Sequence, residues 1–258
     1  MPNPTTINDL ECFVMSCGEP TVDECLARIE KQTYLPKRTT VIEGKTPLHE
    51  SINALHEAMS LPIVVKVDAD MMCKPRCFER LYTALRGSSK NYYASAGILI
   101  DPFLGRIGAI HMMQSKLVKS VQIPNIIGCD RWLRSHMLKL GYELLELKAT
   151  CAEHWCDWSA KAVFARHVRV GQKDAYYSGK HYLTWISSLR DKWITTNNPA
   201  CYLAFIGYCY GLLTQDSNEK HPDFINKEWG QIEDLMELGV IPKVKDKHLL
   251  VLKNGGNR

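Results

Sequence analysis

The sequence predicts an α/β protein: a largely parallel sheet in its first two thirds, then a helical C-terminal third. Three observations carry this expectation. Short apolar, β-branched runs alternate with segments of helical periodicity from residue 10 onward. One run, Ile63-Val64-Val65-Lys66-Val67, is apolar throughout except at Lys66 and stops on Asp68-Ala69-Asp70. That is the pattern of a buried parallel strand ending at a ligand crevice. After Ser159 the pattern turns helical and aromatic-rich, up to a polar tail at 254–258.

The elements follow in order. Residues 12–16 make a first strand that breaks at Cys17-Gly18-Glu19-Pro20. Thr21 is a predicted N-cap with Glu24 three residues on, as in a capping box. The helix behind it shows Val22, Cys25, Leu26 and Ile29 on one face and ends near Thr33, before Leu35-Pro36. Residues 39–42 read as the second strand, and 47–59 as a second helix with Leu48, Ile52, Leu55 and Met59 on its inner face. The acidic strand is third, followed by a helix over 77–85. Shorter strands are expected at 95–100, 108–113 and 116–121, then a helix at 130–140 and a strand at 142–147 running toward His154.

Composition narrows the function classes. With 258 residues the chain can bury a substantial core, and 45% hydrophobic with 23% charged residues is ordinary for a globular protein. The net charge of +4 suits an anionic ligand such as a nucleotide and is too weak to argue for a DNA-binding face. Met1-Pro2-Asn3-Pro4 lacks the basic and apolar regions of a signal peptide, so a cytoplasmic protein is expected. The longest apolar run, 200–213, holds three tyrosines and two glycines. It is too short to span a bilayer and reads as a buried helix; peripheral membrane association through it stays open. The ten cysteines are scattered, which favours reduced thiols over a disulfide framework or a zinc ribbon.

The chemistry concentrates on the acids. Two carboxylates one residue apart repel each other and cost desolvation energy unless a cation accompanies them. Mg2+ or Mn2+ bridging a diphosphate is the usual tenant of such a site. A solvated acidic turn gives the same tripeptide. Lys66, inside a buried strand, should pair with an acid or reach a ligand. His154 is either a metal ligand or a structural histidine. Asp130, near a helix start where a carboxylate is favoured, is either a general base or a cap.

Together these motifs resemble the GT-A fold glycosyltransferases, in particular the large inverting family that uses nucleotide-diphosphate sugars. The residues that carry the resemblance are the opening strand and helix with Cys25-Leu26-Ala27-Arg28-Ile29, then Ser51-Ile52-Asn53-Ala54-Leu55, Val67-Asp68-Ala69-Asp70, Cys129-Asp130-Arg131-Trp132-Leu133, Gly141-Tyr142-Glu143 and Glu153-His154. They span roughly residues 10–171.

The resemblance implies a three-layer sandwich around a mostly parallel sheet, with a catalytic core over 1–171 and a helical extension over 172–258 packed on it. It also implies roles. Asp70 binds the divalent cation, and Asp68 contacts the ribose or reaches the metal through water. His154 completes the metal site. Asp130 is the base; the family has an acidic pair there, and Cys129-Asp130 keeps one acid of it. Ser16, Gly18 and Glu19 line the nucleotide pocket, and Glu43 contacts the ribose or base. Asn53 and Lys66 face the diphosphate, while Arg166 and Arg169 lie close to the phosphates.

The expected activity is therefore sugar transfer, assisted by Mn2+ or Mg2+, from a nucleotide-diphosphate sugar to a hydroxyl acceptor (a glycan, a lipid-linked glycan or another), with inversion. A nucleotidyltransferase is the nearest alternative. It would open with a glycine-rich basic loop after the first strand, which Cys17-Gly18-Glu19-Pro20 is not. A non-catalytic relative that binds a nucleotide sugar or glycan is the other, with Asp130 as a cap. A nucleic-acid acceptor gains little from the mild charge. Tyr176, Tyr177, Tyr182, Trp185 and Trp193 read as packing before a sugar platform.

Overall fold

The computed structural model describes residues 3–44, 47–88, 90–101, 103, 105–155, 157, 159–177, 182–214 and 222–249. Two compact units divide the chain, one of residues 1–100 and 106–156, the other of 101–105 and 157–258.

The first unit contains β1 (Thr5–Ser16), α1 (Val22–Glu30), β2 (Tyr34–Glu43), α2 (Leu48–Ala58), β3 (Ile63–Asp68), β4 (Met71–Cys73), α3 (Cys77–Arg86), β5 (Tyr92–Asp101), β6 (Gly105–Gln114), α4 (Ser115–Val118), α5 (Cys129–Lys139) and β7 (Glu143–His154). Its seven strands run β2-β1-β3-β6-β5-β7-β4. Pairing is parallel for β1 with β2, β1 with β3 and β5 with β7, and antiparallel for β3 with β6 and β4 with β7. The alternation of β3 explains the layers. Ile63, Val65 and Val67 pack with Cys25 and Ile29 of α1 and with Phe78, Leu81 and Leu85 of α3. Val64 points the other way, into a cluster of Phe13, Met15, Ile52, Leu55, Leu133 and Met137 under α2 and α5. Helices thus cover both faces, the three-layer architecture expected of the sequence. Full burial of a side chain such as Phe13, Leu55 or Leu81 contributes about 2 kcal/mol.

One topological fact positions the site. Only Ala69 and Asp70 separate β3 from β4, yet β4 pairs with β7 at the far end of the strand order. Two residues cannot cross a flat sheet of that width. The sheet must curl until the end of β7 meets the end of β3.

Several local expectations are corrected. Residues 116–121 are not a strand: Ser115 donates its backbone N–H to Pro62 at 2.9 Å, ends the β6 ladder and opens the single turn of α4. Thr21 holds the N-cap position of α1 without capping it, because its hydroxyl donates to the Ala69 carbonyl at 2.9 Å. β7 runs to His154 instead of stopping near 147, since its last residues pair with β4. The boundary at 171 moves to 156/157: α6 (Ala160–Tyr176) passes unbroken through 171 and buries Val163, Phe164, His167, Val168 and Gly171.

The second unit is built on α6, α7 (Tyr182–Thr196), α8 (Pro199–Leu213) and α9 (Pro222–Glu237). α8 is the apolar 200–213 run and is buried through Ala200, Cys201, Leu203, Ala204, Gly207, Tyr208 and Gly211. Among the described residues no helix is long and apolar enough to cross a membrane. Glycine lets α6 and α8 touch along their backbones: a Cβ on Gly171 would lie 2.3 Å from the Tyr208 carbonyl oxygen, and one on Gly211 would lie 2.1 Å from that of Val168. Trp185 and Trp193 pack on the core, with Trp193 4.4 Å from the Tyr202 ring, so these two serve packing. The side chain of Tyr182 lies outside the described residues.

His167 gives this unit a pH dependence. Its Nδ1 lies 2.7 Å from the Val163 carbonyl, its Nε2 meets no partner among the described residues, and Phe103 packs edge-on at 4.9 Å. Burial, then the Arg166 charge, pushes its pKa down from 6.5 to about 3. The unfolded chain therefore binds a proton that the folded chain refuses between those values. Stability is fully present above about pH 6.5 and falls as pH drops toward 3, by up to about 1.4 kcal/mol per pH unit from this group. Urea midpoints at pH 7 and pH 5 should separate more for the wild type than for His167→Gln; equal separations would contradict this.

Candidate active site

The acidic turn between β3 and β4 is pinned from three sides. Ala69 donates its N–H to the Met15 carbonyl at 2.9 Å, Thr21 donates to the Ala69 carbonyl, and Trp155 donates its N–H to the Asp70 carbonyl at 2.7 Å. The last bond continues the β4–β7 ladder, in which Met71 faces His154. As a result His154 Nε2 lies 2.9 Å from Asp70 Oδ2. Their side chains keep 12% and 24% exposure, so both stay partly accessible to solvent. Burial alone would raise the Asp70 carboxyl. The hydrogen bond and charge of His154, a local backbone N–H and the Lys66 ammonium outweigh burial and hold it below the ordinary carboxylate value.

Asp68 turns elsewhere. Its Oδ1 accepts from Lys66 Nζ at 2.5 Å, which answers how an ammonium survives inside a strand. Burial would push the Lys66 ammonium down, but Asp68, and beyond it Asp130 and Asp70, raise it overall. Lys66 faces His111 across the β3–β6 register. His111 is half-buried and lowered to about 4, first by burial and then by Lys66, with Asp130 and Asp68 pulling the other way. It is therefore neutral near pH 7. Sequence reasoning missed it; its only signal was a polar residue inside the apolar run of β6.

Asp130 sits second in α5, behind Gly128, whose φ of 67° turns the chain into the helix. Its carboxylate is exposed, and its charge is felt by both Lys66 and His111. Asp70 with His154 and Asp68 with Lys66 thus make two bonded pairs at the end of one strand, with His111 opposite Lys66 and the Asp130 charge reaching both Lys66 and His111. Trp155, also unremarked in the sequence, is 36% exposed beside His154, with the Arg28 guanidinium 5.8 Å from the centre of its ring.

Other expected residues separate into groups. Ser16 faces Glu43 in the β1–β2 register, and Met15 faces Asp68, so Ser16, Glu43 and Asp68 all lie at the carboxyl edge of the sheet. Glu19 closes the turn beside them: it accepts from Ser16 Oγ at 2.9 Å and Cys17 N–H at 2.7 Å, while Gly18, at φ 90°, donates to Ser16 Oγ. Asn53 clamps the 123 segment through two bonds with the Ile123 backbone, at 3.0 and 2.8 Å, so its amide is committed to the fold. Arg166 and Arg169 lie on α6 in the second unit; Arg166 pairs with the fully buried Asp101, and Arg169 is exposed.

Among the described residues no group of three or more His, Cys, Asp and Glu side chains is arranged to hold a metal. Two oxygen and nitrogen donors, Asp70 and His154, do meet. That set fits Mg2+ or Mn2+ completing its coordination with phosphate oxygens and water, rather than an ion caged by protein alone.

No protein-family model and no curated protein sequence matches the chain. Solved structures do. A mannosyltransferase from Pyrobaculum calidifontis, solved in complex with GDP-Man and Mn2+, superposes with a TM-score of 0.54 at 12% identity, covering 100% of this chain and 89% of that one. Glucosyl-3-phosphoglycerate synthase from Mycobacterium tuberculosis, solved with Mn2+, UDP and phosphoglyceric acid, gives 0.45 at 12% identity over 58% of this chain and 72% of that one. The chain therefore has a GT-A type fold, like that of nucleotide-sugar glycosyltransferases.

Proposed function

We propose that this protein is a divalent-metal-dependent glycosyltransferase that moves a sugar from a nucleotide-diphosphate donor to a hydroxyl acceptor with inversion. The observation that carries the proposal is the meeting of Asp70 and His154 where the sheet curls, with Asp130 acting on the adjoining Lys66 and His111. The GT-A fold supports it.

In this reading Asp70 and His154 would hold Mn2+ or Mg2+, whose charge would stabilise the departing diphosphate. Asp68, kept in place by Lys66, faces the ribose. Ser16, Gly18, Glu19 and Glu43 shape the wall for the nucleoside at the carboxyl edge of β1 and β2. Asp130, exposed at the start of α5, accepts the proton of the acceptor hydroxyl as that oxygen attacks the anomeric carbon. The nucleotidyltransferase alternative is disfavoured because the amides of Cys17 and Gly18 already donate within their own turn. Such an enzyme needs backbone donors aimed at phosphates there.

Asp130→Asn tests the base. Transfer should fall by about a hundredfold or more while nucleotide-sugar affinity, read by calorimetry, stays within about twofold. Undiminished transfer would leave Asp130 as a residue of the helix first turn only, and the inverting assignment would fall with it.

A further inference from the structure

A pocket lies away from the acidic turn, between α3 and β7. It is an open pocket of about 410 Å3, lined by Arg76, Glu79, Arg80, Thr83 and Ala84 from the helix and by Leu147, Lys148 and Ala149 from the strand. The volume falls in the range of small-molecule sites. Ala84, Leu147 and Ala149 give it apolar lining, and Arg76, Arg80 and Lys148 bring three cations to it.

The one acid of the lining is already neutralised. Glu79 accepts from Arg76 at 2.9 and 2.7 Å and from Thr33 at 2.8 Å, and these contacts lower its carboxyl to about 2. Arg80 makes no ion pair or side-chain hydrogen bond among the described residues. Its field reaches inward all the same. The Cys151 thiol, which burial would raise, is lowered to about 7 by a hydrogen bond with Cys77, by the Ile98 backbone and by the charges of Arg80 and Lys74. A guanidinium of planar donors and an ammonium lining one pocket together with apolar side chains is a set that recognises a phosphate carried on a small carbon body.

We propose that the α3–β7 pocket binds a small soluble phosphate monoester, held through Arg80 and Lys148 with its carbon body on Ala84, Leu147 and Ala149. The site is independent of the donor site proposed above, because none of its residues belongs to the Asp68–Asp70–His154–Asp130 cluster.

The test is calorimetric titration of the intact protein with glycerol 3-phosphate and with inorganic phosphate, without divalent cation so that the donor site stays silent. Saturable one-site binding is expected, tighter for glycerol 3-phosphate than for inorganic phosphate. It should weaken at least about tenfold in Arg80→Gln and in Lys148→Gln and persist in Asp70→Asn. Both cations are exposed, so these variants should fold, which their melting temperatures verify. No saturable binding, binding indifferent to both substitutions, or binding seen only with anionic lipid vesicles would each overturn the proposal.

Discussion

Asp70→Asn should lower sugar transfer by about a hundred- to a thousandfold, the loss expected when the carboxylate that would hold a cation against the leaving diphosphate loses its charge. The substitution keeps the shape of the side chain and removes its negative charge. Asp70 is held below the ordinary carboxylate value chiefly by His154, once the opposing effect of burial is overcome, so the native residue is anionic at neutral pH. The pinned turn does not depend on the carboxylate, because its three tethers are backbone bonds and the Thr21 hydroxyl. The variant should therefore melt near the wild type while losing activity. Full activity in a folded Asp70→Asn would remove Asp70 from the chemistry.

Gly211→Ala should be the most damaging small substitution in the second unit. Its Cβ would sit 2.1 Å from the Val168 carbonyl oxygen and 2.9 Å from the carbonyl carbon, both backbone atoms that cannot rotate away. Helices α6 and α8 would have to separate along the stretch that also buries Val168, Tyr208 and the 2.7 Å bond from Tyr208 to Asp174. Overpacking of this kind costs about 3 kcal/mol, or about 8 °C in melting temperature for a chain of this size. Gly230 is the control: it lies in α9, and a Cβ there would meet nothing within 4 Å. Gly230→Ala should be neutral or stabilising by up to about 1 kcal/mol. Equal effects of the two substitutions would contradict the close-packing account.

Much of this was legible in the sequence for identifiable reasons. β3 declared itself because both of its faces are buried, which makes the apolar run continuous and leaves Lys66 conspicuous. The amphipathic helices followed from their periodicity. What the sequence hid was mostly long-range. Thr21 obeys the local pattern of a capping box, yet its hydroxyl spends its proton on Ala69, 48 residues away. His111 becomes notable only when β6 pairs with β3 and sets it against Lys66. The meeting of Asp70 with His154, 84 residues apart, depends on the curl that β4 imposes by pairing with β7. The boundary moved to 156/157 because buried residues run along α6 on both sides of 171, a continuity that the motif pattern does not register.

The central claim is that Asp70 and His154 share a cation with a nucleoside diphosphate. Calorimetry of the intact protein with Mn2+ across a panel of nucleoside diphosphates measures this directly. The account predicts that one of them and Mn2+ each tighten the binding of the other by at least about tenfold, and that Asp70→Asn abolishes this coupling. A nucleoside diphosphate bound equally well with and without Mn2+, or coupling that survives in Asp70→Asn, would contradict it.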